Sequence, residues 1–137
     1  MVTLQAIFDR ETAGNPAIIR TQDELDAVIE RVRTLSTGHP CPAIVEITDA
    51  DDPWNRPFVN AGIGEHRGFV QENWEPPRAT LGDPGVEGVV VYDIQGSRAE
   101  IPADQEVSLD VVREVLAAHL SGGGRAPDDF PLLRVVD

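Results

Sequence analysis

The sequence predicts an α+β fold, a mostly antiparallel sheet with two amphipathic helices packed on one face. Two stretches, 22–35 and 109–120, repeat apolar residues at three- and four-residue steps, the spacing of a helix with one buried stripe. Around them run short β-prone segments separated by connections of hairpin length. A parallel, doubly wound sheet would need a crossover helix between nearly every pair of strands, and too few helices are available for that.

The elements follow in order. Residues 2–8 (VTLQAIF) and 16–20 (PAIIR) read as strands of an opening hairpin about the turn-forming run Thr12-Ala13-Gly14-Asn15-Pro16. Thr21 stands three residues before Glu24, the spacing of a capping box, so a helix begins at Gln22. Its stripe is Leu25, Val28, Ile29, Val32 and Leu35, with Asp23, Glu24, Asp26, Glu30, Arg31 and Arg33 mostly on the solvated side. Past the breaker Gly38-His39-Pro40, residues 43–48 (AIVEIT) are apolar enough for the middle of a sheet. Residues 49–57 form a polar loop. FVNAGIG (58–64) and GFVQEN (68–73) flank Glu65-His66-Arg67 as a hairpin, and Gly62 and Gly64 predict a bulge or a close backbone approach near it.

Residues 74–88, rich in proline and glycine, read as an irregular excursion. EGVVVYDI (87–94), the Gln95-Gly96 turn and SRAEIP (97–102) make another hairpin. Ser108 caps a second helix with the stripe Leu109, Val112, Leu116 and Leu120, supported by Val115, and Gly122-Gly123-Gly124 ends it. Leu132 to Val136 returns as a last strand. No internal repeat is visible.

The length of 137 residues suits one domain, 1–137. An apolar share of 41% with 26% charged residues is that of a globular chain. No apolar run approaches the roughly 20 residues of a membrane span, and MVTLQAIFDRE lacks the pattern of a secretory leader, so the expected location is the cytoplasm. Cys41 is the single cysteine, which fits a reducing compartment. All 11 basic residues are arginine, the bias of a GC-rich genome, and point to a bacterial, actinobacterial source. Against them stand 24 acidic residues, a formal charge of -13. Such a field repels nucleic acid and draws cationic partners, although charge of this kind also serves plain solubility.

No catalytic residue, metal site or cofactor is predicted. His39, His66 and His119 lack the spacing of zinc ligands, and His119 reads as a helix C-terminal residue whose imidazolium complements the dipole. Asp49-Ala50-Asp51-Asp52 resembles half of a calcium loop, but Pro53-Trp54 replaces its glycine turn. Gly62-Ile63-Gly64 lacks a third glycine, and a chain without lysine has no Walker motif. Cys41 follows His39 by two residues with no third group to complete a nucleophilic site.

Aromatic and acidic residues do occur together in loops. Trp54 sits among Asp51, Asp52 and Arg56, and Trp74 between Glu72 and Glu75. Tryptophan and arginine anchor protein interfaces, and carboxylates steer a basic partner. Asp51, Asp52, Trp54, Arg56, Glu72, Trp74 and Glu75 are therefore the predicted contact residues, the other role for the two indoles being to cap the core. A rival class is a small-ligand or enzymatic domain with a pocket between helix and sheet, its candidate polar groups Cys41, His66 and Asp93.

The succession TQDELDAVI (21–29), NAGIGEHRGFV (60–70), VVVYDIQG (89–96), EIPADQEV (100–107) and SGGGRAP (121–127) resembles the immunity protein 1 family of bacterial polymorphic toxin systems, over residues 16–136. The resemblance implies a cytoplasmic antidote, encoded beside a secreted toxin, often a nucleic-acid deaminase or nuclease, that it neutralises by direct binding. It supplies no catalytic residue. The family typically closes with a tryptophan after the glycine-proline segment, where this chain has Leu132-Leu133-Arg134-Val135-Val136.

Overall fold

The structure, a computed structural model, describes residues 2–52 and 58–136. Strands β1 (Leu4–Ile7) and β2 (Ala17–Ile19) pair antiparallel, Leu4 opposite Ile19, as an opening hairpin should. Their connection is more ordered than a bare turn. It holds a short helix, α1 (Arg10–Gly14), because Asp9 accepts from the Thr12 amide at 2.8 Å while the Thr12 hydroxyl accepts from the Asp9 amide at 3.0 Å.

Helix α2 (Gln22–Ser36) starts where the cap predicts, with the Thr21 hydroxyl accepting from the Glu24 amide at 3.1 Å. The Glu24 carboxylate reaches one residue further than a standard box, accepting from the Arg20 amide at 2.9 Å. Leu25, Val28, Ile29 and Val32 are buried, but Leu35 is exposed. Ser36 stands about three turns beyond Leu25 and takes the inward place instead. There its hydroxyl donates to the Ile63 carbonyl at 2.6 Å and accepts from the Ala43 amide at 3.0 Å, joining the helix end to two strands.

Strand β3 (Ala43–Asp49) lies between β1 and β4 (Val59–Ile63), antiparallel to both. β4 and β5 (Arg67–Glu72) form the expected hairpin. The stretch 74–88 is less irregular than its composition suggests: Arg78–Thr80 is a strand, β6, paired with β5. Three residues are too few to display an alternating pattern. Strands β7 (Val89–Ile94) and β8 (Ser97–Pro102) turn through Gln95 and Gly96, both at positive φ, as a two-residue hairpin of the primed type requires. A 3-10 turn (Ala103–Gln105) leads to β9 (Val107–Ser108) on β5, then to α3 (Leu109–Ser121) and to β10 (Leu133–Val135) on β6. Ser108 occupies the N-cap of α3 without bonding the first turn through its side chain.

The ladder runs β10-β6-β5-β4-β3-β1-β2, and a parallel contact joins Ala43 of β3 to Asp93 of β7. The fold is thus α+β with a mostly antiparallel sheet. Its two longer helices share one face, where Leu25, Ile29 and Val32 of α2 and Val112, Val115 and Leu116 of α3 form one core with Val45, Ala61, Ile63 and Val70. The opposite face buries Ile44 and Phe69 against Tyr92 and Ile101 of the β7–β8 hairpin. Gly62 lies between Ile44 and Phe69 in register. The close approach expected there is made by rings: a Cβ on Gly62 would stand 2.2 Å from a Phe69 carbon and 2.7 Å from a Tyr92 carbon. Those two rings meet edge to face at 4.9 Å, and the Tyr92 hydroxyl donates to Glu106 at 2.7 Å.

Candidate protein-binding surface

The register of the β4–β5 hairpin sets Val59 opposite Glu72, so the β3–β4 and β5–β6 loops emerge from the same end of the sheet. They touch, the Asn73 amide donating to the Phe58 carbonyl at 3.1 Å. The Ala50 amide donates to the Thr3 carbonyl at 2.8 Å and ties the first loop to the start of the chain. A third segment, the α3–β10 connection, joins them, with the Arg125 guanidinium 5.2 Å from the centre of the Trp74 ring.

Of the predicted contact residues, Asp51 and Glu75 are exposed and Asp52 is partly exposed. The Asp51 amide donates to the Asp49 carboxylate at 2.9 Å, an Asx turn that shapes the loop. Trp54 and Arg56 lie outside the described residues. Trp74 packs its half-buried ring against the core beneath Arg125, and its buried Nε1 has no hydrogen-bond partner among the described residues. The indole thus caps the core, one of the two roles expected for it, with Arg125 of the same chain over its ring.

Glu72 corrects the expectation of a surface carboxylate. It ends β5, is 1% exposed, and faces Arg78 and His119 inside the protein. Arg78 donates to it through Nε and, at 3.0 Å, through Nη2, while His119 Nε2 lies 2.7 Å from Oε2. His119 stands in the last turn of α3 as expected and is also buried: its Nδ1 sits 2.8 Å from the Val115 carbonyl, so acceptors face both ring nitrogens. The remaining Arg78 donors reach the carbonyls of Ala126, Pro127 and Asp128 at 3.2, 2.7 and 3.2 Å. Burial alone pushes the Glu72 carboxyl up, but hydrogen bonds from His119 and Arg78, with their charges, outweigh it and hold the group below the ordinary glutamate value. The triad therefore locks two of the three converging loops to each other.

One sequence signal for His119 existed. It lies four residues after Val115 and three after Leu116, on the buried stripe of α3.

The polar groups of the rival class separate. Cys41 and Asp93 line a groove of about 460 Å³ with His39, Phe8 and Leu35, between α1, the end of α2 and the β7–β8 turn. His66 is elsewhere, exposed in the β4–β5 turn. The Asp93 carboxylate is engaged locally, accepting from the Gly96 amide at 3.0 Å. His119 lines a cavity of about 20 Å³, room for a single water. Among the described residues no three His, Cys, Asp or Glu side chains are grouped to hold a metal, and no helix is long and apolar enough to cross a membrane.

Fold and surface together define an acidic α+β domain that gathers three loops, braced from within, at one end of its sheet. The particular family follows from its sequence: the profile of Immunity protein Imm1 matches residues 13–135, and the chain belongs to the Imm1 immunity protein family. Membership makes it an immunity protein of a toxin system, with a toxin as partner. No curated protein matches the chain.

Proposed function

We propose that this protein neutralises one cognate secreted toxin, a nucleic-acid deaminase or nuclease, by binding it directly in the bacterial cytoplasm. It acts as a single domain over 1–137, without catalysis, metal or cofactor of its own. Membership of the Imm1 family over residues 13–135 carries the reading. The charge of -13 supports it, because a toxin that grips nucleic acid presents a basic cleft that an acidic antidote can occlude. Nucleic acid and membrane are not partners in this reading.

Contact falls on the three-loop end, through Asp51, Asp52, Trp54, Arg56, Trp74 and Glu75, while Glu72 acts from inside by fixing the loops. Loops can change to discriminate one toxin from its relatives without disturbing the stripes that build the core. The test is to express the toxin domain encoded in the adjacent reading frame, with and without this protein, and to measure growth and direct binding. Rescue with a stoichiometric complex is expected. Toxicity that persists, or rescue without binding, rejects the proposal. Cys41→Ser should protect as well as the unaltered chain, whereas chemistry in the groove of Cys41 and Asp93 would be lost.

A further inference from the structure

The segment between β6 and β7 is closed at its base. The Gly82 amide donates to the Asp104 carbonyl at 2.6 Å, and the Gly88 carbonyl accepts from the Ala103 amide at 3.0 Å, so both ends hang on adjacent residues of the 3-10 turn. Each glycine is required by its place. A Cβ on Gly82 would fall 2.1 Å from the Glu106 carbonyl oxygen, and Gly88 has a φ of +90°. Within the loop, the Asp83 carboxylate accepts from the Gly85 amide at 2.9 Å and the Asp83 carbonyl from the Val86 amide at 3.2 Å. This is a compact, internally bonded Ω-type loop.

Its side chains point away from the core. Residues 83–89 are all exposed, and Leu81, Val86 and Val89 are 45%, 45% and 53% exposed. They are three of the seven large apolar side chains exposed among the described residues, gathered within nine positions. Single exposed aliphatics need no explanation, but three within nine residues, on and beside one closed loop, are a feature that contact with another molecule would account for.

Charge selects the occupant. Asp83 and Glu87 lie in the loop, Asp104 beneath it and Glu100 on neighbouring β8, while the chain carries no basic residue between Arg78 and Arg98. Arg78 is buried, Arg98 is 3.3 Å from Glu100, and Arg67, which donates to the Glu106 carbonyl beneath Gly82, is itself 3.5 Å from the Glu106 carboxylate. A second copy of this chain would bring like charges face to face. Strand β8, bonded among the described residues to β7 alone, continues the surface from Pro102, opposite Val89.

We infer that the closed loop Gly82–Gly88, with Leu81 and Val89, is a second docking surface for the toxin, one that receives an apolar patch rimmed by arginine or lysine. The inference rests on the toxin-binding function proposed above. Two variants test it: Leu81→Ser/Val86→Ser/Val89→Ser, which removes the apolar centre, and Asp83→Arg/Glu87→Arg, which reverses the rim. All five side chains are exposed, so unchanged melting is the folding control. The probe is the purified toxin domain from the adjacent reading frame. The apolar variant should weaken affinity at least about tenfold, and the rim variant should slow association about tenfold at low salt and less at high salt. If the unaltered chain binds and both variants bind within about twofold of it, the surface is wrong and the toxin-binding function stands. If the unaltered chain forms no complex, both fall. Sedimentation showing a dimer of the unaltered chain that the apolar variant abolishes would assign the patch to a second copy and overturn the inference.

Discussion

His119 of α3 holds the carboxylate of Glu72 of β5 at 2.7 Å where neither side chain reaches solvent. Removing Arg78 takes the guanidinium from a buried carboxylate and leaves it to His119, and breaking a buried ion pair costs up to about 3–5 kcal/mol. Arg78→Met should therefore destabilise by that order in urea unfolding. The triple change Glu72→Leu/Arg78→Met/His119→Leu should cost less than Arg78→Met alone, because both strip the 126–128 carbonyls of a donor but only the single change leaves a buried carboxylate without its guanidinium. Additive costs would show that the three do not act as a unit.

Acid should unfold the protein through the same group. The Glu72 carboxyl titrates lower in the folded chain than its ordinary value, so between the two values the unfolded chain binds more protons. The contribution is complete above an unfolded glutamate pKa of about 4.3 and is lost as pH falls through the folded one. Asp9 adds to this in the same direction: burial raises it, but the Thr12 amide and hydroxyl and the charge of Arg31 prevail and lower it. Glu72→Gln should be less stable at neutral pH and show a shallower loss between about pH 4.5 and 2, measured as unfolding free energy against pH.

Tyr92 works at the other extreme. Burial, then its hydrogen bond to the Glu106 carboxylate and the charge of that group, push the phenol far above its ordinary value, against a smaller opposing effect of Arg67. A raised folded value gives stability that is present below the unfolded pKa of about 10 and lost as pH rises beyond it. Tyr92→Phe should cost about 1 kcal/mol at neutral pH and remove that alkaline slope. An unchanged slope above about pH 10 would place its origin elsewhere.

Association with the toxin should be fast and salt-sensitive. The Debye length shrinks from about 10 Å at 0.1 M salt to under about 5 Å near half-molar, so steering by a charge of -13 fades over that range. Stopped-flow rates should fall severalfold across it, and Asp51→Arg/Asp52→Arg/Glu75→Arg should start lower and fall less. A rate constant indifferent to salt would rule out steering.

Long periodic elements were legible and short or nonlocal ones were not. The α2 stripe and its Thr21 cap are local signals, and the helix begins at Gln22 accordingly. Ser36, not Leu35, takes the inward place because helical phase outranks hydrophobicity where the helix ends over the ends of β3 and β4. β6 carries Arg78 and Thr80, both buried, so its composition reads as surface. Their partners lie far off in sequence, with Glu72 and His119 47 residues apart. Charged residues are rarely buried unless paired, and nothing in the sequence near Glu72 announces the pair. The loops around Asp51 and Trp74 were recognisable by composition, but their convergence follows from strand register.

Arg78 also sets an order of assembly. During synthesis Glu72 and Arg78 emerge first, whereas the Asp128 carbonyl that Arg78 grips lies 50 residues later. At about 5–20 residues per second that interval is a few seconds, during which the carboxylate and guanidinium have each other but not their enclosure. Strand β10, which seals β6, comes later still. A nascent chain stopped before Ala126 lacks both the carbonyls that Arg78 grips and the strand that pairs with β6, so β6 stands as an open sheet edge able to pair with another chain until synthesis is complete.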